Sequence, residues 1–127
     1  MLQENYNITQ KEDHIFRRWF EDDYFDLIVW HDVQSREIIG FQLCYNKLVN
    51  EHAFTWHREK RFSHNRIDDY PGVFRHPVTP ILVPDGTFPY SELIKKFRRS
   101  CINIDEVIAR LVVDKIIEYN NSQITMK

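Results

Sequence analysis

The sequence predicts an α+β domain in which an antiparallel β-meander of three to four strands is followed by two C-terminal helices packed on one of its faces. Three observations carry that expectation. Residues 26–58 contain three runs rich in Ile, Val, Phe, Trp and Tyr, separated by short polar links, as hairpin-connected strands require. Residues 91–119 place apolar side chains at helical spacing behind cap-type residues. The length of 127 residues suits a single domain with one core.

The strands are expected at Leu27 to Asp32, Glu37 to Asn46 and Ala53 to Arg58. With turns about Gln34-Ser35 and Leu48-Val49, Trp30 falls opposite Ile39, Ile28 opposite Phe41, Phe41 opposite Trp56 and Leu43 opposite Phe54. That register gathers Ile28, Trp30, Phe41, Leu43, Phe54 and Trp56 on one face. It leaves Leu27, Val29, His31, Ile38, Gly40, Gln42, Cys44, Ala53, Thr55 and His57 on the other. Upstream, His14 to Phe20 reads as a fourth strand because aromatics crowd it and the acidic link Glu21-Asp22-Asp23 suits a hairpin. The alternative is a helix opened by a Thr9-x-x-Glu12 capping box.

Residues 59–89 form an irregular stretch in which Pro71-Gly72, Pro77, Pro80, Pro84 and Asp85-Gly86 break any pattern, leaving at most a short edge strand at Ile81 to Val83. Ser91 is the expected cap of a helix whose inward residues are Leu93, Ile94 and Phe97. Asn103 with Glu106 is the expected capping box of a second, whose stripe is Ile104, Val107, Ile108, Leu111, Val112, Ile116 and Ile117. That helix is expected to end near Tyr119, with 120–127 a frayed tail. The stripe and the aromatic sheet face are natural packing partners, which predicts a core shared by Trp30, Phe41, Leu43, Phe54, Trp56, Ile108, Leu111 and Val112.

Composition excludes several functional classes. Apolar residues make up 43%, aromatics 14% and charged residues 28%, which is globular and rules out a largely disordered chain. A formal net charge of −2 provides no global cationic field, so nucleic-acid binding is disfavoured. The first fourteen residues have no apolar core of the signal-peptide kind, and charges interrupt the C-terminal apolar stretch, so neither export nor membrane spanning is expected. Cys44 and Cys101 belong to no C-x-x-C pair and read as reduced structural thiols, consistent with the cytoplasm. The acceptor patterns at Asn7 and Asn120 are short enough to be chance. Gly40, Gly72 and Gly86 are scattered, which excludes a Walker-type loop and a dinucleotide fingerprint, and neither G-x-S-x-G nor H-E-x-x-H occurs.

The stretches Arg17-Arg18-Trp19-Phe20, Asp26-Leu27-Ile28-Val29-Trp30, Gly40-Phe41-Gln42-Leu43-Cys44-Tyr45 and Thr79-Pro80-Ile81-Leu82 resemble a group of small bacterial proteins with no assigned activity. The resemblance covers about half of the chain. It implies a bacterial cytoplasmic origin and transfers no catalytic residue.

Four constellations could carry chemistry. Gly40, placed by the register between Val29 and His57, removes a side chain from the second face and leaves a depression rimmed by His31, Gln42, Thr55 and His57, a composition suited to a small molecule. A β-bulge or a close approach by residues 71–84 is the structural explanation of the same glycine. His57, His64, Asp68 and Asp69 share one segment and are a ligand set for zinc or a similar divalent ion, with a solvated polar loop as the alternative. Arg58, Lys60, Arg61 and Arg66, joined by Lys95 to Arg99, make a phosphate-binding patch with Trp56, Phe62 and Tyr70 for stacking, or simply a solvated face. Cys44 beside His57 is either a thiolate nucleophile with its base or a small buried hydrophobe. His14, His52 and His76 read as surface residues.

The function these readings favour is a small noncatalytic binding or protein-interaction domain, self-associating as a homodimer through an uncovered sheet face or edge and holding no cofactor. The alternative is a metal-assisted or His-dependent hydrolase-like enzyme using His57 with His64, Asp68 or Asp69.

Overall fold

The computed structural model describes residues 1–10, 13–47, 51–59, 61–68, 81–84 and 88–125. Its strands are β1 (Gln3–Asn5), β2 (Ile15–Glu21), β3 (Phe25–Asp32), β4 (Ile38–Tyr45), β5 (His52–His57), β6 (Arg61–Asp68) and β7 (Ile81–Pro84), followed by α1 (Tyr90–Ser100) and α2 (Glu106–Thr125). The strands form one antiparallel sheet in sequence order, so the meander is seven strands wide rather than three or four. The expected α+β class and antiparallel pairing hold. The segment 14–20 is a strand, as the crowding of its aromatics indicates.

The sheet is wider because β6 and the three-residue β1 add to it. In β6, Phe62 and His64 face Trp56 and Phe54 across the ladder while Arg61, Ser63 and Asn65 point the other way. This is alternation, written with a histidine in one apolar position. The edge strand at 81–84 pairs with β6.

The largest correction concerns the face of β3. Val29 pairs with Phe41, Leu27 with Leu43 and Phe25 with Tyr45, one residue out of the expected register. The β3–β4 link keeps the expected register, with His31 opposite Ile38, and the shift arises beyond it. Asp32 Oδ1 accepts hydrogen bonds from the backbone N–H of Gln34 at 2.8 Å and of Ser35 at 3.0 Å, and Arg36 closes the turn at φ 64°. Beyond the turn the register shifts between Trp30 and His31, leaving Ile39 as the extra residue of a bulge. A one-residue shift exchanges the two faces of a strand. Leu27 and Val29 are therefore fully buried, and Trp30 lies outside the core it was expected to join. The β4–β5 register, with Phe41 opposite Trp56 and Leu43 opposite Phe54, is as expected.

The core comprises Phe20, Phe25, Leu27, Val29, Phe41, Leu43 and Phe54 of the sheet under Leu93, Phe97, Ile108, Val112 and Ile116 of the helices, with Trp56 and Leu111 packed against it. Phe97 meets Phe25 edge-on at 5.7 Å, and Tyr119 reaches Phe54 and Phe62 at 5.3 and 5.4 Å. Both helices thus cover one face, α1 over the start of β3 and α2 reaching as far as β6.

Their caps differ from expectation. Pro89, not Ser91, precedes α1, so the helix starts two residues earlier and without a side-chain cap hydrogen bond. Asp105, not Asn103, caps α2, its Oδ1 accepting from Val107 N–H at 2.9 Å. On α2, Val107 and Ile117 are exposed while Val113 is buried, so the stripe is narrower and rotated. The helix continues through residues 120–125, where a frayed tail was expected. No helix among the described residues is long and apolar enough to cross a membrane.

Candidate functional site

The face without helices brings Gly40, Gln42, Thr55 and His57 together but excludes His31. Gly40 pairs with Trp30 on one side and His57 on the other, rather than with Val29. A Cβ built on Gly40 would lie 2.7 Å from the Trp56 carbonyl oxygen and 3.1 Å from Cε3 of Trp30. The Trp30 ring fills the depression expected there, and the glycine is required by that close approach. Gln42 and Thr55 satisfy each other, the Thr55 hydroxyl donating to Gln42 Oε1 at 3.3 Å. His57 Nδ1 accepts from Glu59 N–H at 3.1 Å.

The expected metal set is divided by the sheet. Alternation puts His57 on the face without helices, whereas His64 faces the core at 5% exposure, so a single ion cannot take both imidazoles. Asp68 ends β6, and Asp69 lies outside the described residues. No group of three or more His, Cys, Asp or Glu side chains among the described residues is placed to hold a metal ion. Instead, His64 joins a buried stack that the sequence did not signal. Its Nε2 and the Tyr45 hydroxyl share a hydrogen bond of 2.5 Å, and His52, expected at the surface, is 5% exposed with its ring 5.5 Å from that of Tyr45 and 5.4 Å from that of His64.

Cys44 is paired with Ala53, four residues along β5 from His57, a span of roughly 13 Å at strand rise. Burial pushes its thiol up to about 12, the reverse of an activated nucleophile. The basic patch is split as well. Arg58 and Arg61 flank the β5–β6 turn, whereas the cations of α1 lie toward the opposite end, with Lys96 over the Tyr24 ring at 4.4 Å. Trp56 and Phe62 turn toward the core, and Lys60 and Tyr70 lie outside the described residues.

His31 belongs to a different cavity. On the helix side, the ends of β2 and β3, the turn after β3 and the start of α2 enclose a groove of about 610 Å³ lined by Phe16, Arg18, His31, Asp32, Val33, Arg36 and Asp105. Two of its walls are apolar and open: Phe16 is 45% and Val33 46% exposed. Arg18 is held by the Glu4 carboxylate at 2.6 and 2.9 Å, with Asp105 3.8 Å away. That hydrogen bond with Arg18 keeps the Glu4 carboxyl below its ordinary range. Backbone N–H groups of Ser35 and Gln34 do the same for Asp32.

A carbonyl oxygen only accepts, so His31 Nδ1 must carry a proton and donate to the Arg36 carbonyl, 3.2 Å away. In the neutral ring, Nε2 is then an acceptor, and it is buried without a protein partner. The residues of this groove come from β2, β3, the hairpin turn and α2, so only the folded topology assembles them. Comparison with family models, with curated proteins and with solved structures finds no match.

Proposed function

We propose that the protein is a small noncatalytic binding domain whose ligand occupies the groove between the β2–β3 end of the sheet and the start of α2. One observation carries this reading: the groove sets the exposed Phe16 and Val33 walls beside the Arg18, His31 and Arg36 side chains in a space the size of a small molecule. Its volume lies within the range usual for small-molecule sites, and apolar walls with a few polar groups are their usual composition. The inventory defines a ligand class. The Phe16 and Val33 walls take an apolar body, and the Arg36 guanidinium offers donors to an acceptor on the same molecule.

Nitrogen-15 correlation spectra recorded against a fragment library rich in rings that carry hydrogen-bond acceptors test the reading. Bound fragments should move the amides of Phe16, His31, Val33 and Arg36 together, and Val33→Trp, which fills the groove at an exposed turn position, should abolish those shifts without unfolding the chain. Fragments that bind elsewhere and are indifferent to Val33→Trp would overturn it.

A further inference from the structure

Arg18, Asp32, Arg36 and Asp105 line the groove, and their formal charges cancel. Arg18 and Asp105 are already engaged. The Arg18 guanidinium grips Glu4 at 2.6 and 2.9 Å and lies 3.8 Å from Asp105, whose Oδ1 also caps α2. Asp32 and Arg36 flank one turn, close enough for the Arg36 N–H to donate to the Asp32 carbonyl oxygen at 2.8 Å, yet their side chains form no ion pair with each other. Neither has a charged partner among the described residues. Arg58, the cation whose field reaches Asp32, is paired with Glu37 at 3.6 Å.

Arg36 is also costly where it stands. Its φ of 64° is a left-handed conformation that glycine or asparagine adopts with less strain, and side chains kept at such positions cluster at ligand clamps. What the turn gains from an arginine is an exposed guanidinium at the groove.

The geometry points to a zwitterion as the ligand of this groove: a free α-amino acid with an apolar side chain, its carboxylate on Arg36, its ammonium on Asp32 and its side chain against Phe16 and Val33. This rests on the reading of the groove as a small-molecule site and names the class of molecule it takes. A net anion would meet Asp32 and Asp105, and a net cation would meet Arg18 and Arg36. A molecule with both charges a few bonds apart satisfies the Asp32 carboxylate and the Arg36 guanidinium together. The guanidinium fork suits a carboxylate in particular, since its parallel N–H donors match the two oxygens. Phe16 and Val33, both half-exposed, are covered by an apolar side chain and gain nothing from a polar one.

Nitrogen-15 spectra and calorimetry with L-valine, L-leucine, L-isoleucine, L-methionine, L-phenylalanine and L-tryptophan test the assignment, with the N-acetyl and carboxamide derivatives of each as controls. At least one of the free amino acids should move the amides of Phe16, Val33 and Arg36 together. Removing either of its charges should weaken binding about tenfold or more, the worth of a charge-assisted hydrogen bond. Arg36→Asn, which suits the left-handed turn, should erase the difference between the amino acid and its carboxamide. Asp32→Asn, which keeps the Oδ1 acceptor of the turn, should erase the difference between the amino acid and its N-acetyl derivative. Fragments that occupy the groove while every amino acid leaves these amides unmoved would overturn the zwitterion and leave the groove reading intact. Derivatives that bind as tightly as the free amino acid would do the same. A groove that takes neither fragments nor amino acids would overturn both.

Discussion

The two faces of this sheet draw on the same kinds of residue and arrive at opposite environments. Under the helices, Leu27, Val29, Phe41, Leu43 and Phe54 have no exposure, while on the other face Trp19, Ile28 and Trp30 stay partly in water. Two of the three tryptophans therefore lie outside the core, and the interior of β3 is built from a phenylalanine, a leucine and a valine. Hydrophobicity did not decide which set was covered. The bulge at Ile39 set the register, and the register selected the face.

The largest test of that contrast compares Phe41→Ala with Trp30→Ala. Phe41 is fully buried between Phe54 and Trp56, so its truncation should cost about 3–5 kcal/mol. Trp30 is the larger side chain but lies over Gly40 on the open face and stays partly exposed, and its loss should cost about 1 kcal/mol. Urea denaturation midpoints read both. Equal losses, or a greater one at Trp30, would mean that β3 has its faces the other way round.

Gly40 gives a sharper and smaller test of the same ladder. The sequence reading placed a depression at Gly40, which a valine would simply fill. Here a Cβ meets the backbone carbonyl of Trp56 at 2.7 Å, and backbone cannot rotate away as a side-chain tip can. Gly40→Val should therefore destabilise by about 1–3 kcal/mol, the usual cost of overpacking. Gly40→Ala should already show much of that loss, because the clash is with the first carbon. A thermal midpoint unchanged in both variants would place the β4–β5 ladder differently.

What the sequence revealed and what it hid follow from the range of the interactions involved. Period-two runs of Ile, Val, Phe and Trp located β3, β4 and β5, and helical spacing located α1 and α2, since these signals are local. The β4–β5 pairing of Phe41 with Trp56 was also legible. The β3–β4 register was legible next to the turn, where His31 faces Ile38, but not beyond it, because there it depends on a single bulged residue that leaves no compositional trace. β6 was hidden by its polar outer residues, and its inward His64 was read as a metal ligand. The groove was hardest to see. His31 was singled out, but for the wrong face, and its neighbours Phe16, Val33, Arg36 and Asp105 come from three separate segments.

Cys44 marks where the contrast between the faces is incomplete. It lies on the side without helices, yet it is only 6% exposed beside Ala53, and burial raises its thiol from 9.0 to about 12. Between those values the folded chain holds a proton that the unfolded chain has released, so stability is fully present below pH 9 and falls as the pH rises toward 12. At neutral pH the effect is nil. At pH 10 it amounts to about 1.4 kcal/mol, one unit above the unfolded value. Cys44→Ala should remove this alkaline loss while leaving any contribution from Cys101 and Tyr119, both also raised by burial, in place. Urea titrations of the two chains at pH 7, 9 and 10 read the difference directly. Parallel declines in wild type and Cys44→Ala would mean that the thiol ionises freely, and that this end of the open face is as wet as the row of Trp19 and Ile28.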